Sequence, residues 1–201
     1  MREGPPDLGP APRLWLATSP ETEELRLRAD VPDDLTEAVA SSVADGIRVG
    51  ELEALLGARA TRGLTFVVRV PAIEASGSLI RSDTPEGGEL LHGGLPRGFT
   101  ELGFRDEDDL WPPWCVVLEA GEPVSIAFSA RLSRVGVEAG VFTLPEARGR
   151  GLAALATAGW AGSPRLGNRV RFYSTDLANV SSQRVAERLG CELIGSTVEI
   201  R

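Results

Sequence analysis

Apolar and polar residues alternate along several stretches of the second half of the chain, with the two-residue period of half-buried strands. Residues 114–132 contain two such runs joined by the turn sequence AGEP, which predicts a β-hairpin. Residues 135–143 form a third run, and its alternation places Glu138 and Phe142 on one face. Two further strands are predicted at 169–175 and 192–200.

Apolar residues recur at helical spacing in 149–161 and 179–188. The second half therefore has the predicted order β-β-β-α-β-α-β, which is typical of a mixed α/β sheet. Residues 72–109 are rich in glycine, serine, proline and acids, which predicts a long loop region with short strands. The other predicted elements of the first half are strands at 13–17, 25–29 and 64–70 and helices at 33–46 and 50–60.

The length and apolar content of the chain suit one folded domain. With 201 residues and 42% hydrophobic content, residues 13–201 can bury a core of their own. Residues 1–12 are rich in proline and glycine, which predicts a flexible N-terminal tail. The sequence has no run of about 18 apolar residues and no signal-peptide pattern at its start. We therefore expect a cytoplasmic protein without a membrane partner.

Charge is unevenly distributed along the chain, whose net charge is −8. Residues 140–201 hold eight arginines against five acidic residues, whereas 1–139 hold thirteen arginines against twenty-four. An acidic chain argues against nucleic-acid binding, but its basic end could hold a small anionic cofactor. Every basic residue is arginine, which excludes a GxxxxGK phosphate loop and a catalytic lysine.

The cysteines and the histidine do not form a pattern typical of chemistry. Cys115 and Cys191 lack the CxxC spacing of a metal or redox site, so we predict two buried thiols. His92 is the only histidine and lies in a predicted flexible loop without a cluster of other ligands. We therefore predict no bound metal.

The segment TLPEARGRGLAAL, residues 143–155, places Gly149 and Gly151 between arginines where a predicted strand gives way to a helix. A helix N-terminus leaves about four backbone N–H groups without intrahelical acceptors, and its dipole adds partial positive charge. Glycine lets an anion approach the backbone closely, and Arg148 and Arg150 add charge. The pattern predicts a phosphate-binding turn, and a solvated basic turn that merely starts a helix is the alternative.

Three segments in this order resemble the GCN5-related N-acetyltransferases, the GNAT superfamily. RGRGLA (148–153) fits the family signature RxxGxG/A, and the preceding VEAGVFTLPE resembles the fourth strand of the family with its proline-containing exit. NVSSQRVAERLGC (179–191) resembles the family segment NxxSxxxxxKxGF. The resemblance divides the domain into a divergent acceptor-side region, 13–110, and an acetyl-CoA-binding core, 111–201.

The resemblance implies an α/β fold with a mixed, largely antiparallel central sheet, splayed at the cofactor site and flanked by helices. It implies acetyl-CoA as co-substrate, with the pyrophosphate on the turn and the pantetheine arm on the strand before it, and no metal. The implied cofactor-binding residues are Val141, Phe142, Thr143, Arg148, Gly149, Arg150, Gly151, Leu152, Ala153, Ala154, Asn179 and Ser182.

The implied reaction is direct transfer of an acetyl group to a primary amine in one ternary complex. A protonated amine must lose a proton before it attacks, and Glu138 is the predicted general base, acting through water. It lies ten residues before Arg148, where many family members carry a carboxylate. A backbone N–H at Phe142 or Thr143 is predicted to stabilise the charge that develops on the thioester oxygen.

The proton donor to the leaving thiolate departs from the family pattern. The tyrosine that family members often carry seven residues after the segment's asparagine is Ala186 here. Tyr173, the only tyrosine, lies on the neighbouring predicted strand and is the predicted substitute. A tyrosine that only packs in the core is the alternative.

The acceptor is predicted only as a class. The acidic run Asp106–Asp109 precedes Trp111 and Trp114, and together they could attract and sandwich a cationic amine, or the run could be a solvated loop with anchoring tryptophans. A small-molecule or peptide amine fits, and a homodimer is kept open.

Two other functions stay open on the sequence alone. One is a catalytically degenerate regulator that binds acyl-CoA without turnover. The other is a nicotinamide dinucleotide-binding protein, because GRGLAA (149–154) also fits GxGxxG/A and Asp176 follows the next strand.

Overall fold

The computed structural model describes residues 2–3, 11–69, 78–92 and 94–201. Their strands and helices, in chain order, are β1 (Arg2–Glu3), β2 (Leu14–Thr18), β3 (Glu23–Leu27), α1 (Asp33–Ala44), α2 (Val49–Leu56), β4 (Ala60–Val67), β5 (Ser78–Arg81), α3 (Pro85–Leu90), α4 (Arg97–Glu101), β6 (Trp114–Glu119), β7 (Glu122–Leu132), β8 (Gly136–Thr143), α5 (Leu152–Ala161), β9 (Val170–Asp176), α6 (Val180–Arg188) and β10 (Glu192–Ile200). Short 3₁₀ turns lie at Glu107–Asp109, Pro145–Ala147 and Pro164–Leu166.

The chain forms two compact units that are interleaved in sequence. The first unit contains β1 and the described residues of Phe66–Ser174 and Val180–Glu192. The second contains the described residues of Asp7–Thr65 together with Thr175–Asn179 and Leu193–Arg201. Both units draw residues from either side of position 110. In the predicted tail, Arg2 and Glu3 pair with Leu132 and Arg131, and residues 4–10 lie outside the described part of the chain.

The first unit is built on an antiparallel sheet in which β5 pairs with β6, β6 with β7 and β7 with β8. The predicted hairpin is confirmed: β6 and β7 meet at Ala120 and Gly121, whose φ angles of 50° and 85° suit a tight hairpin turn. β9 joins β8 in parallel over a short register from Gly136↔Val170 to Glu138↔Phe172.

Two layers of side chains cover the two faces of this sheet. On one face α5 approaches closely, because a Cβ on Gly159 would lie 2.4 Å from the sulfur of Cys115. On the other face α4 and the residues after it contribute Phe99, Leu102 and Phe104 to a core with Trp114 and Phe128. Alternate residues of β8 therefore face different environments.

The second unit packs α1 and α2 over β2, β3 and β10. β2 pairs antiparallel with both β3 and β10, and Leu14, Leu16 and Ile200 are fully buried in its core with Val39 and Leu52. β10 spans the predicted 192–200, and the weaker sequence patterns that predicted β2, β3, α1 and α2 are also confirmed.

The region predicted as mostly loop contains more helix than expected. Residues 72–77 and 93 of this region lie outside the described residues, but 78–92 and 94–109 contain β5, α3 and α4. Pro85 occupies the first turn of α3 and Pro96 is the N-cap of α4, so proline starts these helices and does not break them.

The predicted fold class is confirmed: an α/β fold with a mostly antiparallel sheet and flanking helices. The antiparallel pairing of β5 to β8 contradicts the dinucleotide-binding alternative, which requires a doubly wound parallel sheet. No helix in the described part of the chain is long and apolar enough to cross a membrane.

Candidate functional site

The turn between β8 and α5 has the backbone that its glycines allow. After the 3₁₀ turn Pro145–Ala147, Gly149 and Gly151 adopt φ angles of 74° and 83°, in the left-handed region that other residues rarely adopt. A Cβ built on Gly149 would meet no other atom within 4 Å. The backbone at Gly149 is therefore open to a ligand.

Backbone donors line this turn. Among the hydrogen bonds of the described residues, none is donated by the N–H groups of residues 149–154, and no side chain caps α5. The first N–H with an acceptor is that of Leu155, which donates to the Gly151 carbonyl at 3.1 Å. Six successive donors at the positive end of a ten-residue helix form a site suited to a phosphate or diphosphate.

The two arginines of the turn have partners. The Arg148 Nε donates to the Thr143 carbonyl at 3.1 Å, which ties the turn to the end of β8. Arg150 forms an ion pair with Glu119 on β6, and this hydrogen-bonded partner raises the pKa of the guanidinium. Both guanidinium groups therefore already have partners within the protein. The unpaired backbone N–H groups are the main anion-binding feature of the turn.

Arg188 lies beside this turn and was not among the residues predicted to bind the cofactor. A Cβ on Gly151 would lie 2.4 Å from its Nη1, so the guanidinium lies over that glycine. Arg188 is exposed, and no hydrogen bond or ion pair joins its guanidinium to the described residues. It occupies the lysine position of the family segment NxxSxxxxxKxGF, which was the available sequence signal.

The strand before the turn diverges from its parallel neighbour. The register of β8 and β9 ends at Glu138↔Phe172, whereas β8 continues to Thr143. Leu144 donates to the Val124 carbonyl at 3.0 Å, on the β7 side. Because backbone direction alternates along a strand, the N–H groups of Thr143 and Val141 point away from β7 and that of Phe142 points toward it. Val141 and Thr143 thus present backbone groups to the gap.

Glu138 is half-buried beside one partner. Arg131 on β7 donates from Nη1 to the Oε2 atom of Glu138 at 2.7 Å. No other hydrogen bond reaches this carboxylate from the described residues. The Oε1 atom therefore remains available to a water molecule or an amine.

Tyr173 lies on the opposite face of the sheet from Glu138. The register pairs Glu138 with Phe172, and alternation turns the next residue, Tyr173, to the other face. Tyr173 is 3% exposed, and its hydroxyl shares a hydrogen bond with that of Ser182 on α6. Burial raises the pKa of Tyr173, so the phenol keeps its proton at neutral pH. The structure joins Tyr173 to Ser182 but does not bring it to the face of Glu138.

Of the other residues in the family-like segment, Asn179 donates its backbone N–H to the Asp176 carbonyl at 2.9 Å and belongs to the second unit. Its contact with a cofactor stays a prediction. Ala186 is fully buried and carries no hydroxyl where the family often has a tyrosine.

The acidic run has a structural role at two of its members. Asp106 accepts hydrogen bonds from the backbone N–H groups of Asp108 and Asp109. Asp109 is buried and accepts from Arg105, which lowers the pKa of its carboxyl. Trp114 is 3% exposed and packs in the core, so it cannot sandwich an amine at the surface.

His92 is exposed, as predicted. Within the described residues, no group of histidine, cysteine and acidic side chains is arranged to hold a metal ion.

The sequence matches no protein-family model and no curated protein. Solved structures do resemble it. A GCN5-related N-acetyltransferase-like protein from Streptococcus suis 89/1591 is 20% identical, with a TM-score of 0.52, over 95% of this chain and 85% of that chain. An acetyltransferase of the GNAT family from Colwellia psychrerythraea is 11% identical, with a TM-score of 0.53, over 89% of this chain and 76% of that chain.

A protein assigned to the GNAT family from Novosphingobium aromaticivorans is 23% identical over 70% of this chain, and this chain covers 64% of its length, with a TM-score of 0.49. From the Streptococcus and Colwellia structures, the chain has the fold of the GCN5-related N-acetyltransferases. The resemblance seen in the motifs is thus confirmed at the level of the fold.

Proposed function

We propose that the protein transfers an acetyl group from acetyl-CoA to the primary amine of a small molecule or peptide, by direct attack in one ternary complex. The observation that carries this proposal is the row of six unpaired backbone N–H groups at residues 149–154. This row of donors begins at Gly149 and includes Gly151, the two glycines between β8 and α5 that have left-handed φ angles.

The residues at the turn fit the diphosphate of coenzyme A. The N–H groups of Leu152, Ala153 and Ala154 point out of the first turn of α5, and Gly149 leaves the approach open. Arg188 adds an exposed guanidinium beside Gly151. Acetyl-CoA would supply an acetyl group activated as a thioester.

The edge of β8 would hold the pantetheine arm. Val141 and Thr143 direct backbone groups into the gap that opens after Glu138↔Phe172. A backbone N–H fixed in this gap can stabilise an oxygen that gains negative charge, because the donor needs no reorganisation during the reaction. Thr143 and Val141 suit this role better than Phe142, whose N–H points toward β7.

Glu138 would accept the amine proton, directly or through water. Its Oε1 atom has no hydrogen-bond partner among the described residues, and Arg131 fixes the carboxylate through Oε2. General-base catalysis of this kind contributes roughly 10²- to 10⁴-fold to the rate. Tyr173 would donate a proton to the leaving thiolate, for which its raised pKa keeps the hydroxyl protonated.

A second candidate function is an acyl-CoA-binding regulator without turnover. Two observations favour it: Ala186 carries no hydroxyl, and Arg131 neutralises the charge of Glu138. The same anion site would serve both functions, so binding of acetyl-CoA alone cannot separate them.

The test combines calorimetry with a thiol-release assay. We expect acetyl-CoA to bind and to raise the melting temperature, because a ligand of the folded state shifts unfolding by mass action, and NAD to do neither. We expect release of free coenzyme A thiol when primary amines are added. Binding without amine-dependent thiol release would support the regulator, and no binding would reject both candidates.

A further inference from the structure

One exposed aromatic ring stands out on the face of the sheet that carries Glu138. Phe142 is 48% exposed, and no other phenylalanine, tryptophan or tyrosine of the described residues is exposed. It stacks on Phe128 with centroids 5.8 Å apart and meets Phe104 edge to face at 6.1 Å. Both supporting rings are 2% exposed. Phe142 is thus an apolar platform fixed by buried rings.

Gly140 makes this arrangement possible. A Cβ at Gly140 would lie 2.5 Å from the Cζ atom of Phe128 and 3.1 Å from the Cβ of Ala130. The absence of a side chain lets the ring of Phe128 lie against β8 and reach Phe142. The surface between Glu138 and Phe142 is therefore apolar.

Glu138, Gly140 and Phe142 share one face of β8, because side chains alternate along a strand. The α-carbons of Glu138 and Phe142 are roughly 13 Å apart at the usual rise per residue. A carboxylate oxygen without a partner and an exposed aromatic ring thus lie at the two ends of an apolar strip.

Arg131 limits the number of positive charges that an acceptor can carry near Glu138. Its side chain is 41% exposed and its guanidinium pairs with Glu138, so one ammonium group can approach Oε1 while a second cation would be repelled. Polar bodies such as sugars would lose hydration over the apolar strip without gaining hydrogen bonds. These features disfavour polyamines and amino sugars.

We propose that the acceptor is a monoamine whose primary amino group is carried on an aromatic or branched apolar body, with that body on Phe142. This inference rests on the proposed function and names its substrate class. The ammonium group approaches Glu138, and the apolar body covers a ring that is otherwise exposed to water.

The test compares amines in the thiol-release assay with the full chain. We expect kcat/KM for 2-phenylethylamine and isopentylamine to exceed that for spermidine and glucosamine at least tenfold. Phe142→Ala should lower the ratio of kcat/KM for 2-phenylethylamine to that for ethylamine about tenfold, mainly through KM. Phe142→Tyr, which keeps the ring, should restore most of this ratio, and Val135→Ala, at an exposed apolar residue outside the strip, should leave it unchanged.

The outcomes separate this inference from the proposed function. Thiol release with spermidine or glucosamine in preference to the apolar amines would overturn the inference and leave the acetyltransferase proposal standing. An unchanged ratio in Phe142→Ala, with a folded variant that still binds acetyl-CoA, would overturn it as well. No thiol release with any amine would overturn both.

Discussion

Replacing Gly149 by alanine separates the ligand-binding role of the turn from its effect on stability. Gly149 has a φ of 74° and open space at its Cβ position. Alanine in the left-handed conformation costs roughly 1–2 kcal/mol. For a chain of this length we expect the melting temperature to fall by roughly 2–8 °C. The new methyl group would also project into the space through which a phosphate approaches the N–H groups.

Gly57→Ala is the matched control. Gly57 has a φ of 65° and likewise meets nothing within 4 Å, but it ends α2, outside the proposed site. Both variants should lose similar stability. Only Gly149→Ala should bind coenzyme A at least tenfold more weakly, which corresponds to about 1.4 kcal/mol.

The assay is calorimetric titration with coenzyme A, with melting curves recorded with and without the ligand. The rise in melting temperature on adding coenzyme A should be the same in wild type and Gly57→Ala and smaller in Gly149→Ala. Wild-type affinity for coenzyme A in Gly149→Ala, or an equal loss of this affinity in both variants, would refute our assignment of the phosphate site.

Three further predictions concern single side chains. Glu138→Gln should lower kcat/KM for amines by roughly 10²- to 10⁴-fold with an unchanged calorimetric Kd for acetyl-CoA, and an unchanged rate would exclude Glu138 as the base. Tyr173 is the only tyrosine, so tyrosinate absorbance should titrate above pH 10.0 in the native protein and near pH 10 in denaturant. Because folding raises the pKa of Tyr173, the stability that this residue contributes is present below pH 10 and is lost as the pH rises through the folded-state pKa. Titration of Tyr173 at or below pH 10 in the native protein would contradict the raised pKa. Burial raises the pKa of Cys115 to about 12, and Cys191 is half-buried with a raised pKa, so a disulfide reagent at pH 8 should leave Cys115 unmodified until denaturant is added. Rapid native modification of both thiols would contradict the packing of α5 on the sheet.

Local patterns predicted most of the elements because their signals lie within a few residues. The alternation of 192–200 and the turn at Ala120 and Gly121 both reappear in the structure, as do the glycines that start α5. α3 and α4 were missed because each is only one or two turns long, so neither is long enough to show a helical period, and because α3 begins at a proline and α4 directly after one.

The partners of the site residues could not be predicted, since they depend on register. Glu138 opposes Arg131 because a bulge in β7 between Ser129 and Arg131 shifts the pairing by one residue. Without that bulge, Ala130 would stand opposite Glu138. The stacking of Phe142 on Phe128 likewise depends on which residues of β7 and β8 face each other.

The most direct test of the central claim is an amide NMR titration of the protein with coenzyme A. Six backbone N–H groups at residues 149–154 have no acceptor in the described structure, and we expect their resonances to shift most and to saturate together. The amide resonances of α1 and α2 should not shift. Unshifted resonances at 149–154, with or without shifts elsewhere, would contradict the claim that this turn binds the diphosphate.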